Sequence, residues 1–196
     1  EAFAIRSDLV GGPGSTTPRR PPWTAEAEVA GPMSRHPRYK RLRAAWRPAW
    51  PGVGCLVTAS DGSWGFGISR YADPVIATIN THLGPLLVGE PALATERCWD
   101  MMTRMASPYS PAGLAAYAIS AIDLALWDLK GKLLGAPVWS LIGGPSRPQI
   151  DCYATGNDTD WHMELGFRAT KLACPHGPAD GLTGLDANEA LVARTR

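Results

Sequence analysis

Basic side chains are concentrated in the first quarter of the chain, where they could bind an anion. An arginine of the 35–47 stretch could hold a carboxylate, because a guanidinium offers two parallel N–H donors and lysine does not. Tyr39 and Trp46 lie in the same stretch and make nucleic-acid binding a second interpretation. A solvated charged face is the default one. Eight of the nineteen Lys and Arg residues lie between residues 19 and 47: Arg19, Arg20, Arg35, Arg38, Lys40, Arg41, Arg43 and Arg47.

Lys171 is a second candidate cation. In a strand, Phe167, Ala169, Lys171 and Ala173 would alternate onto one side. A lysine flanked by alanines on an inward face needs a partner or a function, because burying a lone ammonium is costly. A one-residue shift in register would instead place Lys171 in solvent, and the pattern does not separate these two interpretations.

Carboxylates occur in two places that could do chemistry. Asp158, Asp160 and His162 alternate along the chain and could bind a metal, but no turn glycine lies among them, so a polar loop is the default interpretation. Asp123 and Asp128 lie in an apolar run and could be catalytic. The structural alternative pairs Asp128 with a lysine one turn later and bonds Asp123 to neighbouring backbone.

Several function classes are disfavoured by what the sequence lacks. It contains no Walker loop, G-x-G-x-x-G, G-x-S-x-G or H-E-x-x-H pattern, which disfavours NTPases, dinucleotide enzymes, serine hydrolases and zinc proteases. The net charge of +1 gives no global attraction to nucleic acid or membrane, and we expect neither partner. The four cysteines have no C-x-x-C spacing and predict free thiols in a reducing cytoplasm.

The elements that position these residues begin with an α+β unit. Residues 3–10 predict a strand, and residues 11–32 predict a long irregular loop. Residues 52–58 and 64–69 predict a hairpin around Asp61-Gly62, a type I′ signal that puts Val53, Cys55 and Val57 on one face. The pattern also predicts helices over residues 74–83 and 94–106.

One long helix follows this unit. Ser110-Pro111 predicts its start, and Gly135 with Pro137 predicts its end. Apolar residues surround the axis from Leu114 to Leu134, which is typical of a buried helix. Its four charges and the prolines at its start argue against a membrane span.

A strand–helix–strand–helix pattern follows Gly144: strands over residues 149–153 and 169–174, a helical turn over 161–166, and a helix over 186–196. This pattern is typical of βαβ units in a parallel sheet. A complete eight-fold barrel needs about 250 residues. We therefore expect a truncated barrel.

Four stretches together resemble the enolase superfamily, in particular the acid-sugar dehydratases of its mandelate racemase subgroup: residues 23–34, 50–55, 119–144 and 152–181. The resemblance implies an α+β capping domain over residues 1–144, with an antiparallel sheet and helices. It implies that the 11–32 loop is a lid, and that residues 145–196 are the first βα units of an incomplete (β/α)₈ barrel.

The resemblance also implies a cofactor and site residues. It implies one Mg²⁺ held by three carboxylates and a His–Asp base, all expected beyond Arg196, so we expect no catalytic or metal residue within the chain and an inactive fragment. Enolase-superfamily sites use a Lys or His base with Mg²⁺. Within the chain the resemblance implies substrate binding by Arg43 and by Lys171, which begins a K-x-K motif whose second lysine is Ala173 here.

The loss of that second lysine favours one-base dehydration over racemisation. Some members of the subgroup carry a histidine in the lid, and residues 11–32 contain none. The resemblance implies a small sugar acid as the partner, and we expect a homo-oligomer at full length. A dehydratase for a different sugar acid and a non-catalytic capping-domain protein are the alternatives.

Overall fold

The computed structural model describes residues 1–5, 28–40 and 46–196. These residues form two compact units. The first contains the described residues up to 5 together with 49–146, and the second contains 28–40, 46–48 and 147–196. The break at residue 146 lies two residues after the expected end of the capping domain, whereas residues 28–40 pack with the second unit rather than the first.

The first unit is built on a three-stranded antiparallel sheet in the order β1-β2-β3. The strands are β1 Ala2–Ile5, β2 Gly52–Thr58 and β3 Trp64–Arg70. Ala2 lies opposite Cys55, which in turn lies opposite Gly67. Val53 and Cys55 are fully buried and Val57 is partly buried, so the predicted inner face of β2 is confirmed.

The turn of the hairpin differs from the expected type I′ turn. Gly62 alone has a positive φ, of +87°, and its N–H donates to the carbonyl of Ala59 at 3.0 Å. This arrangement is a three-residue loop that ends in a left-handed glycine. The Asp61 carboxylate accepts the Ser63 N–H at 2.9 Å, which stabilises the loop without a left-handed aspartate.

Helices cover the inner face of the sheet. The N-terminal ones are α1 Ala72–Thr78, a π-helical stretch Ile79–Leu83, α2 Gly84–Leu87 and α3 Thr95–Met105. The long helix α4 Leu114–Leu134 and the short α5 Val138–Leu141 follow. The core of this unit holds the fully buried Ile79, Leu83, Met102 and Leu129.

Helix α4 begins and packs differently from its prediction. It begins at Leu114, because Ser110 and Gly113 both adopt positive φ, and Ser110 Oγ accepts the Ala112 N–H instead of capping the helix. Its end at Gly135, in the left-handed conformation, is confirmed. The helix is not buried all round: Leu124 and Leu134 are exposed, while its small residues face the sheet.

The second unit contains a parallel strand pair. Its elements are β4 Ala154–Thr155, α6 Thr159–Glu164, β5 Thr170–Lys171 and α7 Gly181–Thr195, with 3₁₀ helices Pro37–Tyr39 and Pro178–Asp180. Ala154 lies opposite Thr170, and Thr155 lies opposite Lys171, in parallel. The predicted parallel pairing is confirmed, but both strands are two residues long, and β4 begins one residue after the stretch expected to form it.

Candidate functional site

The candidate site lies at the carboxyl ends of β4 and β5, because parallel strands of a barrel gather their functional loops at that edge. Asn157 joins the two loops there. Its Oδ1 accepts the Ala173 N–H at 2.9 Å, and its Nδ2 donates to the Ala173 carbonyl at 3.3 Å. Sequence analysis missed this role, since the signal was only a short polar side chain four residues after a predicted strand.

Lys171 ends β5 and is exposed. Among the described residues its ammonium has no hydrogen bond or ion pair, so of the two interpretations of Lys171 the structure has the exposed one. Ala173, two residues later, is 9% exposed. The Lys171 ammonium of the second unit is therefore accessible for binding an anion.

The alternating Asp158, Asp160 and His162 do not form a metal site. No group of three potential ligands lies together anywhere in residues 1–5, 28–40 and 46–196. The His162 ring is buried, and its Nδ1 lies 3.3 Å from Thr170 Oγ1, so it joins α6 to β5. The metal interpretation of this triplet is wrong, and His162 has a structural role.

The 28–40 segment, which contains the first half of the basic 35–47 stretch, contacts the chain beyond β5. The Ala30 N–H donates to the Cys174 carbonyl at 3.0 Å, and the Lys40 ammonium forms an ion pair with the Asp180 carboxylate. Arg43 lies outside the described residues, which resume at 46. The structure thus brings the residues just before Arg43 into contact with the chain that follows Lys171's strand.

Asp180 is the most enclosed carboxylate of this region, with 7% of its side chain exposed. The Lys40 ammonium, followed by the Gly177 N–H at 3.0 Å, holds the pKa of the Asp180 carboxyl below its usual range. The carboxylate therefore stays ionised and acts as an anchor for cations rather than as a general acid.

The two carboxylates of α4 have different environments. The prediction for Asp128 is confirmed: its Oδ2 accepts from Lys132 Nζ at 2.7 Å and also from the Phe66 N–H at 2.8 Å. The expected backbone bond of Asp123 is wrong, since none is found among the described residues. Burial, and then the like charge of Glu96, raises the pKa of Asp123.

The first unit also contains a cavity of about 770 Å³ that is partly open to solvent. Burial raises the pKa of both thiols that line it, Cys55 and Cys98, so neither is a nucleophile at neutral pH. Glu90, on its rim, pairs with Arg97 at 2.8 Å. The remaining wall is mainly aliphatic, and we assign no chemistry to this cavity.

Comparison with known proteins gives a family match within the first unit. Residues 52–143 match the N-terminal domain of mandelate racemase / muconate lactonizing enzyme. That range runs from the first residue of β2 to the end of α5 and its following turn.

Among the described residues, no helix is both long enough and apolar enough to cross a membrane.

Relatives match most of the chain. An L-rhamnonate dehydratase from Saccharopolyspora erythraea is 39% identical over 166 residues, which are 82% of this chain and 41% of the relative. A Caldivirga maquilingensis protein, provisionally given the same name, is 43% identical over 169 residues, 86% of this chain and 42% of the relative.

Solved structures agree with these sequence matches. The crystal structure of L-rhamnonate dehydratase from Gibberella zeae has a TM-score of 0.82 and 31% identity, covering 89% of this chain and 45% of that one. A complex of the same enzyme with Mg has a TM-score of 0.80. The chain thus spans less than half the length of the relatives that it matches.

Proposed function

We propose that the chain, whose residues 52–143 match the N-terminal domain of mandelate racemase / muconate lactonizing enzyme, is the N-terminal part of a Mg²⁺-dependent acid-sugar dehydratase acting on L-rhamnonate. The observation that carries the proposal is the 39–43% identity to proteins named for that activity, extending over 82–86% of the chain. The proposed reaction removes the proton α to the substrate carboxylate and the 3-hydroxyl, as water, and gives 2-keto-3-deoxy-L-rhamnonate.

The described residues do not themselves fit a Mg²⁺ site. Magnesium prefers octahedral oxygen ligands, mostly carboxylates and water, and no such cluster of side chains is present in residues 1–5, 28–40 and 46–196. We therefore assign the metal ligands and the base to the part of the relatives' length that this chain does not span, and we derive no step through the metal here.

This chain's proposed contribution is substrate binding. We assign Arg43 to the sugar-acid carboxylate, since a guanidinium can bind it through two parallel hydrogen bonds. We assign Lys171 to the same substrate, supported by its exposed ammonium at the carboxyl end of β5, which has no partner in the described part of the chain. Ala173, which is uncharged, leaves only one cation in this motif, as expected for dehydration rather than racemisation.

We also propose the domain organisation, the assembly and the location of the whole protein. Residues 1–144 would form the capping domain, residues 11–32 its lid and residues 145–196 the start of the barrel. The parallel pair β4–β5 and the exposed apolar side chains of α7 and the loops support a continuing barrel, because such surfaces pack in a complete one. We further propose a homo-oligomer of the whole protein and a cytoplasmic location, the latter supported by four free cysteines.

The first test is an assay of two proteins. We expect the 196-residue chain to form no 2-keto acid from L-rhamnonate and Mg²⁺, and a longer product of the same gene, containing three spaced carboxylates and a His–Asp pair, to form it. Product from the short chain would contradict our placement of the catalytic groups. A stop codon after residue 196 would favour the non-catalytic capping-domain protein.

A different aldonate is the second candidate substrate, because residues 11–32 lack the histidine that some members of the subgroup carry in the lid. Comparative turnover of L-rhamnonate and other aldonates by the longer protein separates the two. A higher kcat/KM for another aldonate would keep the reaction type and replace the substrate.

A further inference from the structure

A compact polar cluster in the second unit holds the 28–40 segment to the start of α7. Asp180 is its centre: one carboxylate oxygen pairs with Lys40, and the other accepts the Gly177 N–H at 3.0 Å. At the other end of the segment, the Ala30 N–H donates to the Cys174 carbonyl. The segment is therefore attached at both ends, once through backbone and once through charge.

The loop that carries this cluster is fixed by α7. Asn188 Nδ2 donates to the His176 carbonyl at 2.9 Å, and the His176 N–H donates to Asn188 Oδ1 at 3.3 Å. A Cβ added at Gly184 would lie 2.5 Å from the Cβ of Asp180 and 3.0 Å from that of His176. The helix thus packs directly on the loop and leaves its carboxylate little freedom.

The imidazole of His176 lies beside the Lys40–Asp180 ion pair. His176 Nδ1 lies 3.8 Å from Asp180 Oδ2, is buried and has no hydrogen-bond partner within the part of the chain that the structure describes. Asp180 therefore faces Lys40 on one side and an imidazole on the other. The Lys40 side chain is 40% exposed, whereas that of Asp180 is 7% exposed, so the carboxylate is the fixed partner and the lysine the one that docks.

We propose that Asp180 is a positioning residue: it anchors Lys40 and so fixes the position of the C-terminal end of the 28–40 segment on the second unit. Arg43 follows Lys40 by three residues in the sequence. Ordering a chain segment before it binds lowers the entropic cost of binding, so a fixed Lys40 would favour substrate binding by Arg43. The consequence for catalysis rests on the proposed function; the anchoring itself does not.

Hydrogen exchange of the 196-residue chain, followed by mass spectrometry, tests the anchoring without any activity. We expect Lys40→Met to speed exchange of the 28–40 amides, including Ala30, about threefold or more, the range for loss of a partly exposed ion pair. Asp180→Asn should have at least the same effect, and Asp180→Glu, which keeps the charge, should retain part of the protection. Exchange in residues 52–143 should stay unchanged.

Arg35→Met is the matched control, since it removes one exposed positive charge from the same segment, and Arg35 has no ion pair among the described residues. Equal exchange in Lys40→Met and the parent chain would overturn the proposal, as would a parent chain whose 28–40 amides are unprotected. Exchange that rises equally in Arg35→Met would also overturn it.

A separate readout in the longer, active protein concerns catalysis. There Lys40→Met should raise KM for the sugar acid more than it lowers kcat, because it disorders a binding segment and leaves the reacting groups in place. Absence of dehydratase activity would refute the proposed function and leave the exchange result standing. An unchanged KM in an active protein would restrict Asp180 to a structural role.

Discussion

Gly65 and Gly67 allow β3 to lie directly against the backbone of α4. A Cβ at Gly67 would fall 2.1 Å from the Ala121 carbonyl oxygen, and one at Gly65 would fall 2.0 Å from that of Ala125. These contacts are with helix backbone, which cannot rotate away. We expect Gly67→Ala to destabilise the first unit by about 1–3 kcal/mol, the usual cost of overpacking, measured by urea unfolding followed by circular dichroism.

Gly52→Ala is the matched control for that substitution. Gly52 lies in the same sheet, and a Cβ there would make ordinary contacts of 3.7–3.8 Å. Alanine also lowers the entropy of the unfolded chain, so the control should be neutral or slightly stabilising. If both variants unfold at the same urea concentration, the close packing of strand and helix is not what these glycines provide.

For single residues, the sequence predicted contacts between positions close together in the chain and missed contacts between distant positions. The inner face of β2, the cap at Gly135 and the Asp128–Lys132 pair all follow from spacing of a few residues, and the structure confirms them. Asn157 and Asp180 were missed, because their partners lie 16 residues away and 140 residues away respectively. Neither residue type nor spacing identifies such a partner without the fold.

At the scale of elements, Asp128 links the long helix to the free edge of the sheet. Its Oδ2 accepts the Phe66 N–H of β3 at 2.8 Å, while Lys132 donates to the same oxygen and to the Trp64 carbonyl. Burial opposes ionisation, but the bonds from Lys132 and Phe66 prevail and lower the pKa of Asp128. Strand β3 pairs with β2 along one edge only, and the helix thereby supplies hydrogen-bond partners at its other edge.

We expect Asp128→Ala to destabilise the first unit by about 1 kcal/mol at neutral pH, because the carboxylate is 39% exposed and solvent screens it. Since the folded pKa is lowered, this stabilisation is present above the ordinary carboxyl pKa and is lost as pH falls through the folded value. Urea unfolding at neutral and at acidic pH measures both effects, and the difference between variant and parent should shrink in acid.

Asp100→Ala separates the strand contact from a simple helix pair. Asp100 also pairs with a cation four residues later, Arg104, at 2.8 Å, but among the described residues it has no hydrogen bond to a strand. Its loss should cost less, and hydrogen exchange at Phe66 should accelerate only in Asp128→Ala. Equal costs for the two substitutions would show that the bond to β3 contributes nothing beyond the pair within the helix.

Sequence predicted the elements well where one face is buried. The strands of the hairpin and helix α3 agree with their predictions to within one residue. The start of α4 was wrong because Ser110-Pro111 reads as a local start signal, whereas positive φ at Ser110 and Gly113 delays the helix. Strand β5 is shorter than predicted, because a two-stranded parallel pair supports few ladder bonds. The predicted position of β4 was wrong, since that strand begins one residue after the stretch expected to form it.

At the scale of the whole molecule, the two units contribute different things to the proposed function. The first has a closed core under its sheet and carries the family match over residues 52–143. The second presents a strand pair, one exposed lysine and an anchored segment, with its apolar side chains Ile150, Leu182 and Leu185 largely exposed. Neither unit supplies a set of metal ligands among its described residues.

That division predicts how the chain responds to Mg²⁺. A ligand that binds only the folded state stabilises it by RT ln(1 + [L]/Kd), which is about 2.7 kcal/mol at a hundredfold excess over Kd. Because the described residues hold no cluster of three potential ligands, we expect about 10 mM Mg²⁺ to shift the melting temperature of the 196-residue chain by less than about 1 °C, the size of a nonspecific salt effect.

Thermal melts with Mg²⁺, with EDTA and with NaCl at equal ionic strength measure this shift. The longer protein should show a saturable rise with Mg²⁺ that NaCl does not reproduce, since its additional carboxylates would complete the site. A saturable rise in the short chain would instead place metal ligands within these 196 residues. The assignment of the metal to the part of the relatives' length beyond this chain would then be wrong, and the short chain would have to be assayed as an enzyme in its own right.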